Sequence, residues 1–261
     1  LSPMQQGMLF HALLDPTGGA YIQQLSWTFP ASGDIATLRR AWELLVARTP
    51  ILRTSFVWEG LAEPLQRVHA RVEVPWDQLD WRGTPPAEQE ARLAALLRED
   101  RARGFDMSSA PLLRLSALRL DEETYRIVWS FHHALLDGWS VALLIGDLLA
   151  IHGALSRGEE PSLQERPRYR DFIAHLRGRD LSQAEAWWRR ALDGFTTATP
   201  LNDPVADTQR VTGLVLAYLK RMGVSSSLVE AMSATADIRW LDSREAVAMN
   251  LSTAQARGTR G

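Results

Sequence analysis

Two hydrophobic periods alternate along this chain, and their alternation limits the available folds more than any single residue does. Ile35, Leu38, Trp42, Leu45 and Val46 keep the 3.6-residue spacing of a helix face. Tyr21 to Phe29 is instead aromatic, β-branched and alternating, as a strand is, and Pro30 ends it. Ahead of both, Ser2-Pro3-Met4-Gln5 opens a helix: Ser2 can cap, Pro3 suits the first helical position, and Gln5 stands where a capping box takes Glu or Gln. That helix is predicted to reach about Leu14, and the second, capped by Asp34, stops before Pro50. Strands are expected at Leu52 to Trp58 and Leu65 to Val74, joined across Glu59-Gly60, then a helix over Pro85 to Arg103 closed by Gly104. Leu112 to Leu120 and Tyr125 to Phe131 read as strands around a polar turn, followed by a helix over Val141 to Leu155. A connector with Pro161 and Pro167 leads to helices at Tyr169 to Arg177 and Ser182 to Leu192. Interleaved helices and strands bury their apolar faces as layers, so the fold class is α/β.

The signals weaken after Thr196. A strand near 211–219 and a helix near 225–235 are expected, and Ala236 to Gly261 keeps no period. With 261 residues, length alone leaves one large domain or two lobes open.

Composition excludes several function classes. Twenty-nine basic and 31 acidic residues, with no long run of either sign, give no footprint for DNA or RNA. No apolar stretch approaching the roughly 20 residues of a membrane span stands out, and no signal-peptide layout opens the chain, so a cytoplasmic protein is expected. The absence of cysteine removes disulfides, thiolate metal sites and a Cys nucleophile together. The first residue is Leu1 and the one lysine, Lys220, stands among 29 basic residues, which predicts an internal segment of a longer protein from an arginine-biased genome.

The chemistry concentrates in Ile127-Val128-Trp129-Ser130-Phe131-His132-His133-Ala134-Leu135-Leu136-Asp137-Gly138-Trp139-Ser140. Two histidines leave an apolar strand, and Asp137-Gly138 then opens a helix whose backbone donors face the same space. An imidazole exchanges protons near neutral pH, which suits acid–base work. Equally, His132 and His133 can be packed core histidines. A zinc site is disfavoured, because adjacent histidines on a strand point apart and no third ligand stands at helical spacing.

The string HHALLDGWS matches HHxxxDG, and with it the chain resembles the condensation domains of nonribosomal peptide synthetases. LSPMQQGMLFH at 1–11, RTPILRTSF at 48–56, YRDFIAHL at 169–176 and AEAWWRRALDGF at 184–195 are similar to further motifs of that family, in its order and spacing. The resemblance implies a chloramphenicol acetyltransferase-like lobe, a mixed sheet flanked by helices. It places the N-terminal lobe at residues 1–200 and a partial or aberrant start of a second, truncated or missing lobe at 201–261. Apolar area that the second lobe would cover should then lie exposed.

By the same resemblance, His133 is catalytic, as general base on an acceptor amine or as the group that positions it, while His132 orients the loop. Asp137 holds the loop by pairing with an arginine, for which Arg53 is the candidate, and Gly138 lets substrate approach the backbone. Trp139 and Ser140 line the substrate side, and the DGWS ending favours condensation over epimerisation, with an L-configured donor. Ser2 and Tyr169 give structural support. No cofactor is bound directly and no metal is used; substrates arrive on the phosphopantetheine of carrier domains, beside an adenylation domain. Two other readings stay open: an inactive fragment or carrier-docking module, and an acyltransferase that uses acyl-CoA.

Overall fold

The structure, a computed structural model, describes residues 1–15 and 19–195 and the two-residue strand Arg239–Trp240. The expectations for 201–261 otherwise lie outside the described residues. Strand β6 (Thr124–His132) organises the rest: every residue from Tyr125 to His132 is buried. A strand buried on both faces needs a layer on each.

Antiparallel neighbours flank it, β1 (Ile22–Pro30) on one side and β5 (Leu113–Arg119) on the other. An edge strand β4 (Trp76–Asp80) runs parallel to β5, and the short β7 (Arg239–Trp240) pairs with β1, so the order β4-β5-β6-β1-β7 makes a mixed sheet. A separate hairpin joins β2 (Thr54–Val57) to β3 (Leu65–Val68).

The period-2 alternation of β6 divides its side chains between two unlike layers. Tyr125, Ile127, Trp129 and Phe131 meet helix α2 (Ile35–Arg48) and helix α4 (Gly138–Ser156) in the main apolar core. There Trp42 of α2 lies 4.9 Å from the Trp129 ring. On the opposite face, Val128 and Leu118 pack on Trp81 and on Leu93 and Leu97 of helix α3 (Pro86–Arg103).

That second layer is polar at its centre. Asp100 of α3, 9% exposed, takes hydrogen bonds from Arg114 and from Gln24 at 2.7 Å, and Arg114 also reaches the carbonyl of Gly104 at 2.7 Å. Burial alone would raise the Asp100 carboxyl, yet the hydrogen bonds from Arg114 and Ser130 bring it below its ordinary value. The network ties α3 to β1, β5 and β6 at once.

Helix α1 (Pro3–Leu14) forms with its capping box complete and buries Gln5 and Leu9, while Met4, Phe10, Leu13 and Leu14 face outward. Helices α5 (Tyr169–Arg177) and α6 (Ser182–Ala191) bury none of their residues, and Phe172, Trp187 and Trp188 are about half exposed.

Several boundaries depart from expectation for identifiable reasons. Pro50 starts a 3-10 turn over Pro50–Arg53, so β2 begins at Thr54 and not at Leu52. Past Val68 the chain leaves the hairpin ladder, and β4, with Asp77 to Asp80 exposed, lacks the alternation that would have announced it. Arg239–Trp240 joins the sheet where no period was legible. Helix α4 starts at Gly138, ahead of Val141, because Asp137 caps it. Its 19 residues are also long and apolar enough, by length and composition, to cross a membrane, which corrects the expectation that no stretch approached that length. Small and polar residues such as Ser140, Gly146, Asp147 and His152 break up the run when it is read as sequence. Val141, Leu144, Leu148 and Ile151 lie in the core, so α4 is a core helix here.

Truncating Trp42 to Ala should leave a cavity under Trp129 and cost about 3–5 kcal/mol. Urea denaturation of Trp42→Ala should show the midpoint fall with the slope unchanged.

Candidate active site

The site occupies the turn between the end of β6 and the start of α4. Backbone pairing carries the strand one residue past its end: the His133 amide donates to the Tyr21 carbonyl at 2.7 Å. The chain then folds back, with the Leu135 amide donating to the His132 carbonyl at 3.0 Å. His132 and His133 therefore diverge, His132 into the protein and His133 toward its surface.

The His133 ring is half-buried, and its Nδ1 lies 2.5 Å from the carbonyl oxygen of Leu136. A carbonyl only accepts, so Nδ1 carries the proton and donates. In the neutral ring Nε2 is then the bare nitrogen, and among the described residues it has no hydrogen-bond partner and is not among the buried unpaired atoms. It is left to face whatever enters from solvent, as an acceptor.

His132 has the opposite arrangement. Its Nδ1 accepts from the Ala134 amide at 3.1 Å, so the neutral ring carries its proton on Nε2, which is buried with no partner among the described residues. The ring is 2% exposed. Burial, and then the charge of His133, push its pKa down from 6.5 to about 4. At neutral pH it is an uncharged spacer under the loop.

Asp137 caps α4: its Oδ1 accepts from the Ser140 amide at 2.8 Å and from Ser140 Oγ at 2.7 Å. Arg53, expected as its partner, is used elsewhere. Its guanidinium donates to the carbonyls of His69 and, at 3.2 Å, Val46 and Ala70, joining α2 to the segment after β3. The correction has a simple cause, since three carbonyls lie within reach of the guanidinium while the carboxylate is already committed to a helix cap. Gly138 and Trp139 are exposed on the first turn of α4. A Cβ built at Gly138 would meet nothing within 4 Å, so packing among the described residues does not demand glycine there. Ser2 is buried at the cap of α1, and Tyr169, at the start of α5, has its ring 5.7 Å from that of Phe172 on its own helix.

Two residues enter the site that the sequence had not assigned to it. Gln5, read only as half of a capping box, also donates from Nε2 to the Ala134 carbonyl at 3.0 Å. Tyr21, just ahead of β1, adopts a positive φ of 61° while its carbonyl holds the His133 amide. Its hydroxyl meets His11 Nδ1 at 2.8 Å in a cleft of about 440 Å³ between α1 and β1. A bulky residue at positive φ has no sequence signature, and the Gln5 contact spans 129 positions. Among the described residues, no group of three His, Asp or Glu is placed to hold a metal.

The depressed pKa of His132 makes stability depend on pH. Unfolding exposes a ring that titrates near 6.5, so the unfolded state binds a proton that the folded state refuses between about 6.5 and 4. This contribution is present in full above 6.5 and is lost as pH falls toward 4, amounting to about 3 kcal/mol at about 1.4 kcal/mol per pH unit. Denaturation midpoints measured across that window should fall with pH for the natural chain and vary less for His132→Asn, whose amide oxygen can still accept from Ala134.

With this geometry in hand, the likeness to known proteins can be placed on the molecule. A family model for the condensation domain matches residues 1–215. One chain of the linear gramicidin synthase of Brevibacillus parabrevis is 45% identical over 201 residues, covering 77% of this chain and 4% of that protein. Surfactin synthase subunit 3 of Bacillus subtilis (strain 168) is 32% identical over 199 residues, covering 76% of this chain and 16% of that protein. The solved first condensation domain of the calcium-dependent antibiotic synthetase, in complex with a substrate analogue, matches at a TM-score of 0.67 and 22% identity, over 77% of this chain and 49% of that one. The starter condensation domain of rhizomide synthetase matches at 0.64 and 20%, over 86% of this chain and 59% of that one. The chain thus spans a small part of the synthetases and about half of the domain structures, with which it shares the mixed sheet flanked by helices. On the strength of the match over residues 1–215, it belongs to the condensation domain family.

Proposed function

We propose that this chain is the histidine-bearing lobe of a domain that forms amide bonds in nonribosomal peptide synthesis, with residues 1–200 as its N-terminal lobe. The donor is an acyl or peptidyl thioester and the acceptor an aminoacyl thioester, each on the phosphopantetheine arm of a carrier domain in a megasynthase that also holds an adenylation domain. The observation that carries this reading is the His133 ring, anchored through Nδ1 on Leu136 with Nε2 left as an acceptor.

In this reaction the acceptor nitrogen attacks the thioester carbonyl, a C–N bond forms and the C–S bond breaks. Nε2 of His133 receives a hydrogen bond from the attacking amine and takes its proton as the C–N bond forms, and that proton leaves with the thiol. Holding the amine in line contributes beside the proton transfer, since an aminoacyl amine is already partly unprotonated near neutrality. The Gly138 amide, at the first position of α4, supplies a backbone donor for the developing oxyanion. The open space beside Gly138 fits a backbone that substrate approaches closely. Asp137 acts on structure, by capping α4, and Trp139 and Ser140 stand on the substrate side.

The test offers aminoacyl and peptidyl carriers, and separately acyl-CoA, to the synthetase containing this chain. Amide should form from the carriers, and release of CoA in place of amide would overturn the reading. His133→Ala should lower amide formation by about 100-fold or more. Asp137→Ala should cost about 1 kcal/mol in stability through the lost cap and should reduce activity less than His133→Ala does. An equal loss of activity at unchanged stability would show that Asp137 takes part in the chemistry.

A further inference from the structure

Gln5 reaches the active-site turn from another element and does so with every polar atom of its side chain engaged. It is 4% exposed. Its Oε1 accepts from the Ser2 amide at 3.0 Å and from Gln66 Nε2 at 3.0 Å, and its Nε2 donates to the Ala134 carbonyl at 3.0 Å. The orientation of this amide is not arbitrary. A backbone amide can only donate, so the atom facing Ser2 must be the oxygen, which turns the NH₂ group toward Ala134.

Ala134 lies between His133 and the Leu136 carbonyl on which the His133 ring is anchored. Gln5 therefore ties three elements together at this point: the first turn of α1, strand β3 through Gln66, and the loop that sets the direction of Nε2. A capping box alone asks only for an acceptor at this position, which Glu supplies as well as Gln. The donor to Ala134 is an additional function that glutamine has and glutamate lacks.

We infer that Gln5 is a positioning residue for His133, holding the catalytic turn through the Ala134 carbonyl, with Gln66 locking its amide in the donating orientation. The kinetic part of this inference rests on the amide-forming reading above; the structural part does not. A buried hydrogen bond from a neutral donor fixes geometry without altering charge, so its loss should misplace the imidazole and slow the chemical step more than it weakens substrate binding.

The experiment uses Gln5→Glu, whose carboxylate keeps both acceptor roles toward Ser2 and Gln66, loses the donor to Ala134 and adds a buried charge. Gln5→Met, which loses the donor without the charge, is measured beside it. In the synthetase, kcat for amide formation should fall about 10- to 100-fold, with KM for the acceptor carrier changed less than about threefold. In the full chain labelled with ¹³C-histidine, the His133 resonance, assigned by its loss in His133→Ala, should shift or broaden while that of His152, on the far turn of α4, stays in place. Unchanged kcat together with an unchanged His133 resonance would reduce Gln5 to a helix cap and overturn the inference. If Gln5→Glu fails to fold, Gln5→Met decides: it removes the donor to Ala134 without introducing charge, and the His133 resonance should move in it, whereas a resonance that stays in place overturns the inference. A synthetase that forms no amide before any substitution defeats the functional reading, and the resonance then decides the positioning role alone.

Discussion

The hydrogen bond between His133 Nδ1 and the Leu136 carbonyl determines what this site can do. An imidazole has two nitrogens and one proton to share between them, and a carbonyl partner removes the choice. For that bond to form, the chain must reverse within three residues of the strand end. The reversal is held by backbone bonds from Leu135 to His132 and from His133 to Tyr21, and it is closed by Asp137 capping the next helix. His132 fits beneath because it stays neutral, which its burial enforces.

The sheet below is asymmetric in a way that suits this task. One face of β6 is an apolar layer of aromatic rings against α2 and α4, which supplies the driving force for folding. The other face holds Asp100, Arg114 and Gln24 in a buried network whose members need specific partners. Apolar packing tolerates small slips, whereas a buried carboxylate that loses its arginine is strongly penalised. Such a network fixes the register of β1 and β5 against β6, and with it the point at which the two histidines leave the sheet.

Much of the architecture was legible because it rests on local patterns. Helices α1, α2 and α3 and strands β5 and β6 lie where periodicity and caps put them, to within a few residues. What escaped was nonlocal or one-sided. Strand β4 is an exposed edge with little alternation, and β7 is two residues recruited by pairing with β1. The membrane-length apolarity of α4 emerged only when its ends were set. At the site, the HHxxxDG string identified the turn, but the partner chosen for Asp137 was wrong. Arg53 satisfies carbonyls near His69, and no local pattern reports which acceptors a folded chain brings to an arginine.

The order of residues by itself determined the layered α/β class, the strand-to-helix junction at 132–138 and the presence of two histidines there, since these follow from periods and caps acting within a few positions. Only the tertiary structure decided which histidine is buried and neutral, which nitrogen of the other is anchored on a carbonyl, and that Gln5 reaches Ala134 from the start of the chain. The reason is physical: a ring's tautomer and an amide's orientation are set by the partners that long-range packing supplies, and those partners are separated in sequence by as many as 129 residues.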